Sequence, residues 1–200
     1  MDRRPRIAVP QPQPPDAAAL QDVALTYLAR YAATEASLRR MLERRIDRWA
    51  RLAQDAETER DTIAAQVDAA KQAARSIVAR LAAAGAVNDA AFAESKVRSL
   101  TRAGRSRRAI GAHLAAKGVS AEAQRTALSA NAADAELAAA LVLARRRRIG
   151  PFRGGEPPEA AGRRRELAIF ARAGFSQSVA ARALDTEPPE AEAVVNQLRR

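Results

Sequence analysis

The chain has 200 residues, 48% of them hydrophobic, and a formal net charge of +11. Alanine fills 52 positions while Leu, Ile, Val and Phe together fill only 38, so one large core is excluded and small helical units packed closely through Ala are expected. No Cys and a single His exclude disulfide scaffolds, thiol nucleophiles and the common zinc and iron–sulfur sites, as in a protein of the reducing cytoplasm.

Residues 1–15 carry five prolines, at Pro5, Pro10, Pro12, Pro14 and Pro15, and no apolar stretch that could form a signal-peptide core. They read as a disordered tail. After Asp16 the apolar spacing is helical almost throughout, and the fold class predicted is all-α. The first helix carries Leu20, Val23, Tyr27 and Tyr31 at steps of three and four, with Leu25 and Leu28 beside them. Thr34 is a suitable N-cap for the second, with Glu35 in its first turn and the stripe Leu38, Leu42, Ile46 and Trp49. From Asp55 to Ala84 neither Gly nor Pro intervenes, which predicts one long helix, or two nearly collinear ones, ending at Gly85. Its first half is polar, with Asp55, Glu57, Glu59, Arg60 and Asp61, and is expected to be exposed. Ile63, Val67, Ile77, Val78 and Leu81 offer the face to bury.

The second half contains an internal repeat. Gly118-Val119-Ser120 followed by Ala127-Leu128 is answered by Gly174-Phe175-Ser176 followed by Ala183-Leu184. Each reads as a helix ending at Gly, an apolar anchor, a Ser N-cap and a short helix. The preceding helices correspond too: Asp89, Phe92, Ala93 and Val97 match Asp134, Leu137, Ala138 and Val142. Leu38, Leu42 and Arg45 align more loosely with Ile110, Leu114 and Lys117. The pattern predicts three tandem three-helix units in an elongated or curved array. The first spans residues 16–85 with an enlarged segment at about 50–74, and the second spans 86–130. The third spans 131–200, with a Pro- and Gly-rich loop at 149–162 and a C-terminal helical tail.

Charge is segregated along the chain. Residues 1–95 hold 14 basic and 13 acidic side chains, whereas residues 96–200 hold 20 and 10. Lys96 to Lys117 has seven basic residues and no acid, which points to a polyanion or an acidic protein surface as partner. Arg98, Arg102 and Arg105 fall at i, i+4 and i+7, and Arg105, Arg107 and Arg108 crowd the turn at Gly104 and the Ser106 cap. Guanidinium groups beside a helix start suit phosphates or carboxylates. Lys117, Arg145 and Arg148 complete the candidate set, although the run Arg145 to Arg148 points around most of a helix and half of it is expected to be simply solvated. Phe92 and Leu114 are expected in the core. His113 has Ala116 and Lys117 at i+3 and i+4, so no ligand or catalytic partner flanks it, and an exposed or half-packed ring is expected.

No phosphate-binding loop, dinucleotide turn, nucleophile elbow or carboxylate pair occurs, so neither an enzyme nor a bound cofactor is expected. The longest run without a polar residue, Leu137 to Ala144, is far short of the roughly 20 a membrane span needs, so no membrane partner is expected. Aromatic residues are too sparse for a base-stacking platform.

Three segments in order resemble the central motif of the RecX family of bacterial regulatory proteins: Asp89 to Ala93, Gly104 to Ile110, and Leu114 to Ser120. The shared pattern is an acid before Phe-Ala, a Gly-basic turn, and Leu-x-x-Lys-Gly followed by an aliphatic residue. In that pattern Asp89, Phe92, Ala93, Gly104, Ile110, Leu114 and Gly118 are the structural positions. Residues 20–50 and 74–185 are covered, and the 50–74 segment, the 150–162 loop and the Pro-rich tail depart from it. The resemblance implies an all-helical, monomeric, non-enzymatic modulator. Its partners would be the RecA filament and single-stranded DNA, with duplex DNA as a further candidate, and it would inhibit the filament's ATPase, strand-exchange and co-protease activities. A helix-turn-helix-like duplex-binding protein is the alternative, although helix 107–117 offers Arg107, Arg108 and His113 and neither Asn nor Gln for adenine.

Overall fold

Five of the helices begin where an oxygen side chain takes up a free backbone N–H. The computed structural model describes residues 12–56, 59–129, 132–156 and 158–199, and all regular structure among them is helical. Ten α-helices follow in order: α1 Ala17–Leu28, α2 Glu35–Asp55, α3 Arg60–Ala83, α4 Asp89–Arg102, α5 Arg107–Lys117, α6 Ala121–Ser129, α7 Ala132–Arg147, α8 Ala160–Arg172, α9 Gln177–Asp185 and α10 Pro188–Arg199. A 3₁₀ turn at Gly150–Phe152 lies between α7 and α8. Asp16, Thr34, Ser106, Ser120 and Ser176 each accept a hydrogen bond from the amide three residues on, at 2.7 to 3.3 Å, and so satisfy donors the helix leaves free.

Helix ends follow a second rule. After α4, α5 and α8 a glycine takes a left-handed conformation, with φ of 74° at Gly104, 82° at Gly118 and 87° at Gly174. The residue after each glycine donates back to the last turn: Arg105 to Leu100, Val119 to Leu114, and Phe175 to Phe170, at 3.0 to 3.1 Å. The same closure ends α7, where Ile149 donates to the Ala144 carbonyl at 3.1 Å. There Arg148 occupies the left-handed site at φ 55°.

The chain divides into two units, Met1–Asn88 and Asp89–Arg200. In the first, Leu20, Leu38, Leu42, Ile46, Ala74 and Ile77 form a core of α1, α2 and α3, with small Ala side chains on α3 letting the helices approach. The first helix stops at Leu28, earlier than the spacing of Tyr27 and Tyr31 predicts, and Tyr31 is exposed beside Tyr27 with ring centroids 5.2 Å apart. Asp55, Glu59, Arg60 and Asp61 are exposed, as expected of the polar stretch. The helix of 60–83 turns back along α2, and Ile63 is buried with Trp49 and Ala53 in a small cluster of its own. Lys71 pairs with Asp47 at 3.1 Å along the same hairpin. The expected disordered tail lies outside the described residues as far as residue 11, but Pro12 is placed, and its carbonyl accepts from the Trp49 indole N–H at 2.8 Å.

In the second unit, α4 to α6 bury Phe92, Ala93, Ile110, Leu114 and Val119. A separate cluster joins α7 to α10 around Leu141, Phe170 and Phe175, which meet edge to face at 5.9 Å in the Phe pair. Residues 188–199, expected as a tail, belong to that core: Ala191 and Val195, four apart on α10, are fully buried in it. The loop at 149–162 is anchored as well. Ile149 is buried, and the Arg153 Nη2 donates to both Glu166 carboxylate oxygens at 2.5 and 2.6 Å, both side chains largely shielded from solvent.

Gly104 presses on α7: a Cβ there would lie 3.0 Å from Val142 Cγ1, 3.1 Å from the Leu143 nitrogen and 3.2 Å from the Ala139 oxygen. Gly155 is also left-handed, at φ 98°, but a Cβ there would meet nothing within 4 Å. Gly104→Ala is therefore expected to cost about 2–4 kcal/mol, left-handed strain plus overpacking, against about 1–2 kcal/mol for Gly155→Ala. Urea unfolding followed by circular dichroism checks the difference, and equal losses would show that the α7 contact yields.

Candidate polyanion interface

The α4–α5 turn organises the basic residues because it is held from three sides. Ser106 is fully buried; its hydroxyl caps α5 through Ala109 and donates to the Ala173 carbonyl at 2.7 Å. Gly174 makes room for this, since a Cβ at that position would lie 2.8 Å from the Ser106 oxygen. Glu136 on α7 accepts from the Arg107 amide at 3.3 Å and pairs with its guanidinium at 3.7 Å, placing an anion at the positive end of α5. Arg146 reaches back to the Ala103 carbonyl at 3.3 Å and caps the end of α4.

These contacts divide the candidate cations. Arg98 and Arg102 line a groove of about 540 Å³ with Val97, Thr101, Thr126 and Leu198. Arg98 shares its charge with Glu94 at 3.7 Å, and the Arg102 Nε donates to the Arg98 carbonyl at 3.5 Å. A different group gathers around His113, where Lys96, Arg105 and Lys117 all act on the ring. Lys96 was not singled out by the sequence. It stands 5.5 Å over the Phe92 ring, a cation–π contact whose i, i+4 spacing from Phe92 is the signal that could have identified it. Arg108 is exposed in the first turn of α5, whereas Arg107 is committed to Glu136. Arg145 is half-buried at the end of α7 and Arg148 is exposed at the left-handed position beyond it. Of the motif positions, Asp89 lies in the first turn of α4, Phe92, Ala93, Ile110 and Leu114 are buried, and Gly104 and Gly118 are left-handed.

Arg105 is the informative residue. At the equivalent position after α5, α7 and α8 the chain buries Val119, Ile149 and Phe175, and after α3 it leaves only the small Ala86 exposed, with Val87 buried beside it. The motif asks for an apolar anchor there. An exposed arginine in that place forgoes the anchoring contact and leaves a charge beside the α5 N-terminus, whose Arg107 and Ala109 amides are already taken by Glu136 and Ser106. The His113 ring is half-packed, with a buried Nε2 that has no hydrogen-bond partner. Burial pushes its pKa below the ordinary 6.5, and Lys117, Lys96 and Arg105 push it further the same way.

Comparison with known proteins places this architecture. Residues 88–128 match the family model described as "RecX, second three-helix domain". The chain is 40% identical over 174 residues to "Regulatory protein RecX" of Myxococcus xanthus (strain DK1622), covering 84% of this chain and 86% of that protein. It is 39% identical over 111 residues to "Regulatory protein RecX" of Agrobacterium fabrum (strain C58 / ATCC 33970), covering 56% of this chain and 58% of the relative. The fold is shared with the crystal structure of RecX from Lactobacillus salivarius, at a TM-score of 0.54 and 16% identity over 92% of this chain and 96% of that one. A second crystal structure, of a regulatory protein RecX, gives a TM-score of 0.56 at 21% identity over 85% and 74% of the two chains. No single helix among the described residues is long and apolar enough to cross a membrane.

His113 is the one histidine of the chain, so its ring proton is a single resolvable reporter. In the folded protein it is expected to titrate below 6.5. The neutral ring is favoured by folding, so its contribution to stability is complete above 6.5 and is lost as pH falls through the lowered folded value. Proton NMR titration reads the first expectation and thermal unfolding between pH 8 and 5 reads the second. His113→Gln should remove its share of the pH dependence.

Proposed function

The chain belongs to the RecX family of regulatory proteins, and from that premise we propose that it is a non-enzymatic, cytoplasmic, monomeric modulator of the RecA recombinase. It binds the RecA filament on single-stranded DNA and inhibits its ATPase, strand-exchange and co-protease activities. Arg105, Arg108, Lys117 and Lys96 meet phosphates or acidic protein groups around the α4–α5 turn, and Arg98 and Arg102 contact the filament from the adjoining groove. Arg145 and Arg148 extend the basic surface at the end of α7. Arg107 positions the turn through Glu136. The observation that carries this site is Arg105, an exposed cation where the turns after α5, α7 and α8 bury an apolar anchor.

The helix-turn-helix reading has less support. The first turn of α5 would have to lead into a major groove, yet it is joined to Glu136 and to the Ala173 carbonyl.

The deciding measurement is RecA ATP hydrolysis on excess single-stranded DNA, with this protein titrated below the RecA concentration. Inhibition at a small fraction of RecA is expected, because masking of free DNA cannot produce it. Replacing Arg102, Arg105 and Arg108 by Ala should raise the inhibitory concentration about tenfold or more and leave helicity unchanged. Undiminished inhibition would remove the α4–α5 turn from the interface.

A further inference from the structure

The balance of charge over residues 1–95 conceals a local asymmetry. The helix α2 holds six arginines, Arg39, Arg40, Arg44, Arg45, Arg48 and Arg51, and all six are exposed. Its buried stripe is Leu38, Leu42, Ile46, Trp49 and Ala53. At 3.6 residues per turn, Arg40, Arg44, Arg48 and Arg51 fall in one row on the side opposite that stripe. Glu43 is engaged by Arg39 at 3.8 Å and Asp47 by Lys71 at 3.1 Å, which leaves Asp55, exposed four residues after Arg51, as the one acid at the end of the row. Among the described residues Arg44, Arg48 and Arg51 make no ion pair. Three guanidinium groups without an ion pair share one rigid helical face with a single acid at its end, so they repel one another, and a polyanion relieves that repulsion.

We infer that this arginine row is a site for the phosphate backbone of duplex DNA, separate from the α4–α5 turn and not dependent on the reading given to it. From residue 40 to residue 51 the row runs about 16 Å, the span of about five phosphates on one strand at one per 3.4 Å. Arginine holds phosphate through two parallel N–H donors, which suits a backbone contact. A duplex fits better than a single strand, because single-strand sites interleave their cations with aromatic rings on which bases stack. The row has none: Trp49, the aromatic residue of α2, is buried on the opposite side. A protein partner fits less well, since interfaces between proteins have an apolar centre. Here Leu52, at the edge of the row, is the one exposed large apolar residue of α2. Binding is insensitive to sequence, as backbone contacts alone read no base edges.

The experiment uses the full chain with Arg44, Arg48 and Arg51 replaced together by Ala. Alanine is the strongest helix former, so α2 is retained, and circular dichroism and thermal unfolding verify it. A Gln triple variant removes the same charge with longer side chains. Affinity for a labelled 24-base-pair duplex and for a 24-nucleotide single strand, both of mixed sequence, is measured by fluorescence anisotropy across a salt series. On the duplex the log–log salt slope should become shallower by about 2.7, about 0.9 for each lost phosphate contact, with affinity at low salt falling tenfold or more. A Lys triple variant should keep most of the slope. An unchanged duplex slope in both the Ala and Gln variants overturns the site, as does a loss confined to the single strand. Loss of RecA inhibition with duplex binding intact also overturns it, in favour of an acidic protein surface. Because Arg105 and Arg108 are untouched, failure of this site and failure of the α4–α5 turn are read separately.

Discussion

The second unit depends on one hydroxyl. Ser106 accepts the Ala109 amide, which starts α5, and donates to the Ala173 carbonyl, which ends α8. A Ser→Ala change there would leave two backbone groups unsatisfied at a fully buried site, at roughly 1–3 kcal/mol for each group orphaned. The geometry around the hydroxyl follows from two glycines. Gly174 leaves space for the oxygen, and Gly104, left-handed before it, brings the turn against α7. Local capping and the joining of two helical units are therefore a single chemical event, and the basic residues at 105, 107 and 108 are placed by it.

How much of this was legible depended on whether the determining contact was local. Caps at Thr34, Ser106 and Ser176, the glycine ends, and the buried stripe Leu38, Leu42, Ile46 and Trp49 are set by neighbours within four residues, and the sequence displays them. The length of α1 was not legible, because Tyr27 and Tyr31 keep helical spacing although the chain leaves the helix at Leu28. The spacing of Ile63 marks it for burial but not its partner, since the return of α3 along α2 is what brings it to Trp49. The C-terminal residues looked like an appendage because Ala191 and Val195 are small, yet their four-residue spacing fits the groove left by α7.

The candidate interface was legible as charge but not as geometry. A run of seven cations without an acid identifies the region. It does not reveal that Glu136, 29 residues beyond Arg107, takes one of them out of the set, nor that Lys96 joins Arg105 and Lys117 around His113 while Arg98 and Arg102 line a groove. In α2 the opposite occurred. Counting over 95 residues averaged the arginine row against acids of which all but Asp55 are placed elsewhere by the fold or paired with other cations. Charge has meaning for binding only after the helix has sorted it by face.

The indole of Trp49 adds an optical consequence. It is the sole tryptophan of the chain, it is nearly buried, and its N–H is held by the Pro12 carbonyl. Intrinsic emission excited in the indole band therefore comes from the first unit alone, since the second unit is optically silent at that wavelength. Loss of the Pro12 contact would expose the indole dipole to water and shift its colour to the red before α2 and α3 separate. Ligand titrations followed in this way register events at the α2–α3 hairpin, while far-ultraviolet dichroism registers both units together, so the protein carries its own means of telling its two halves apart.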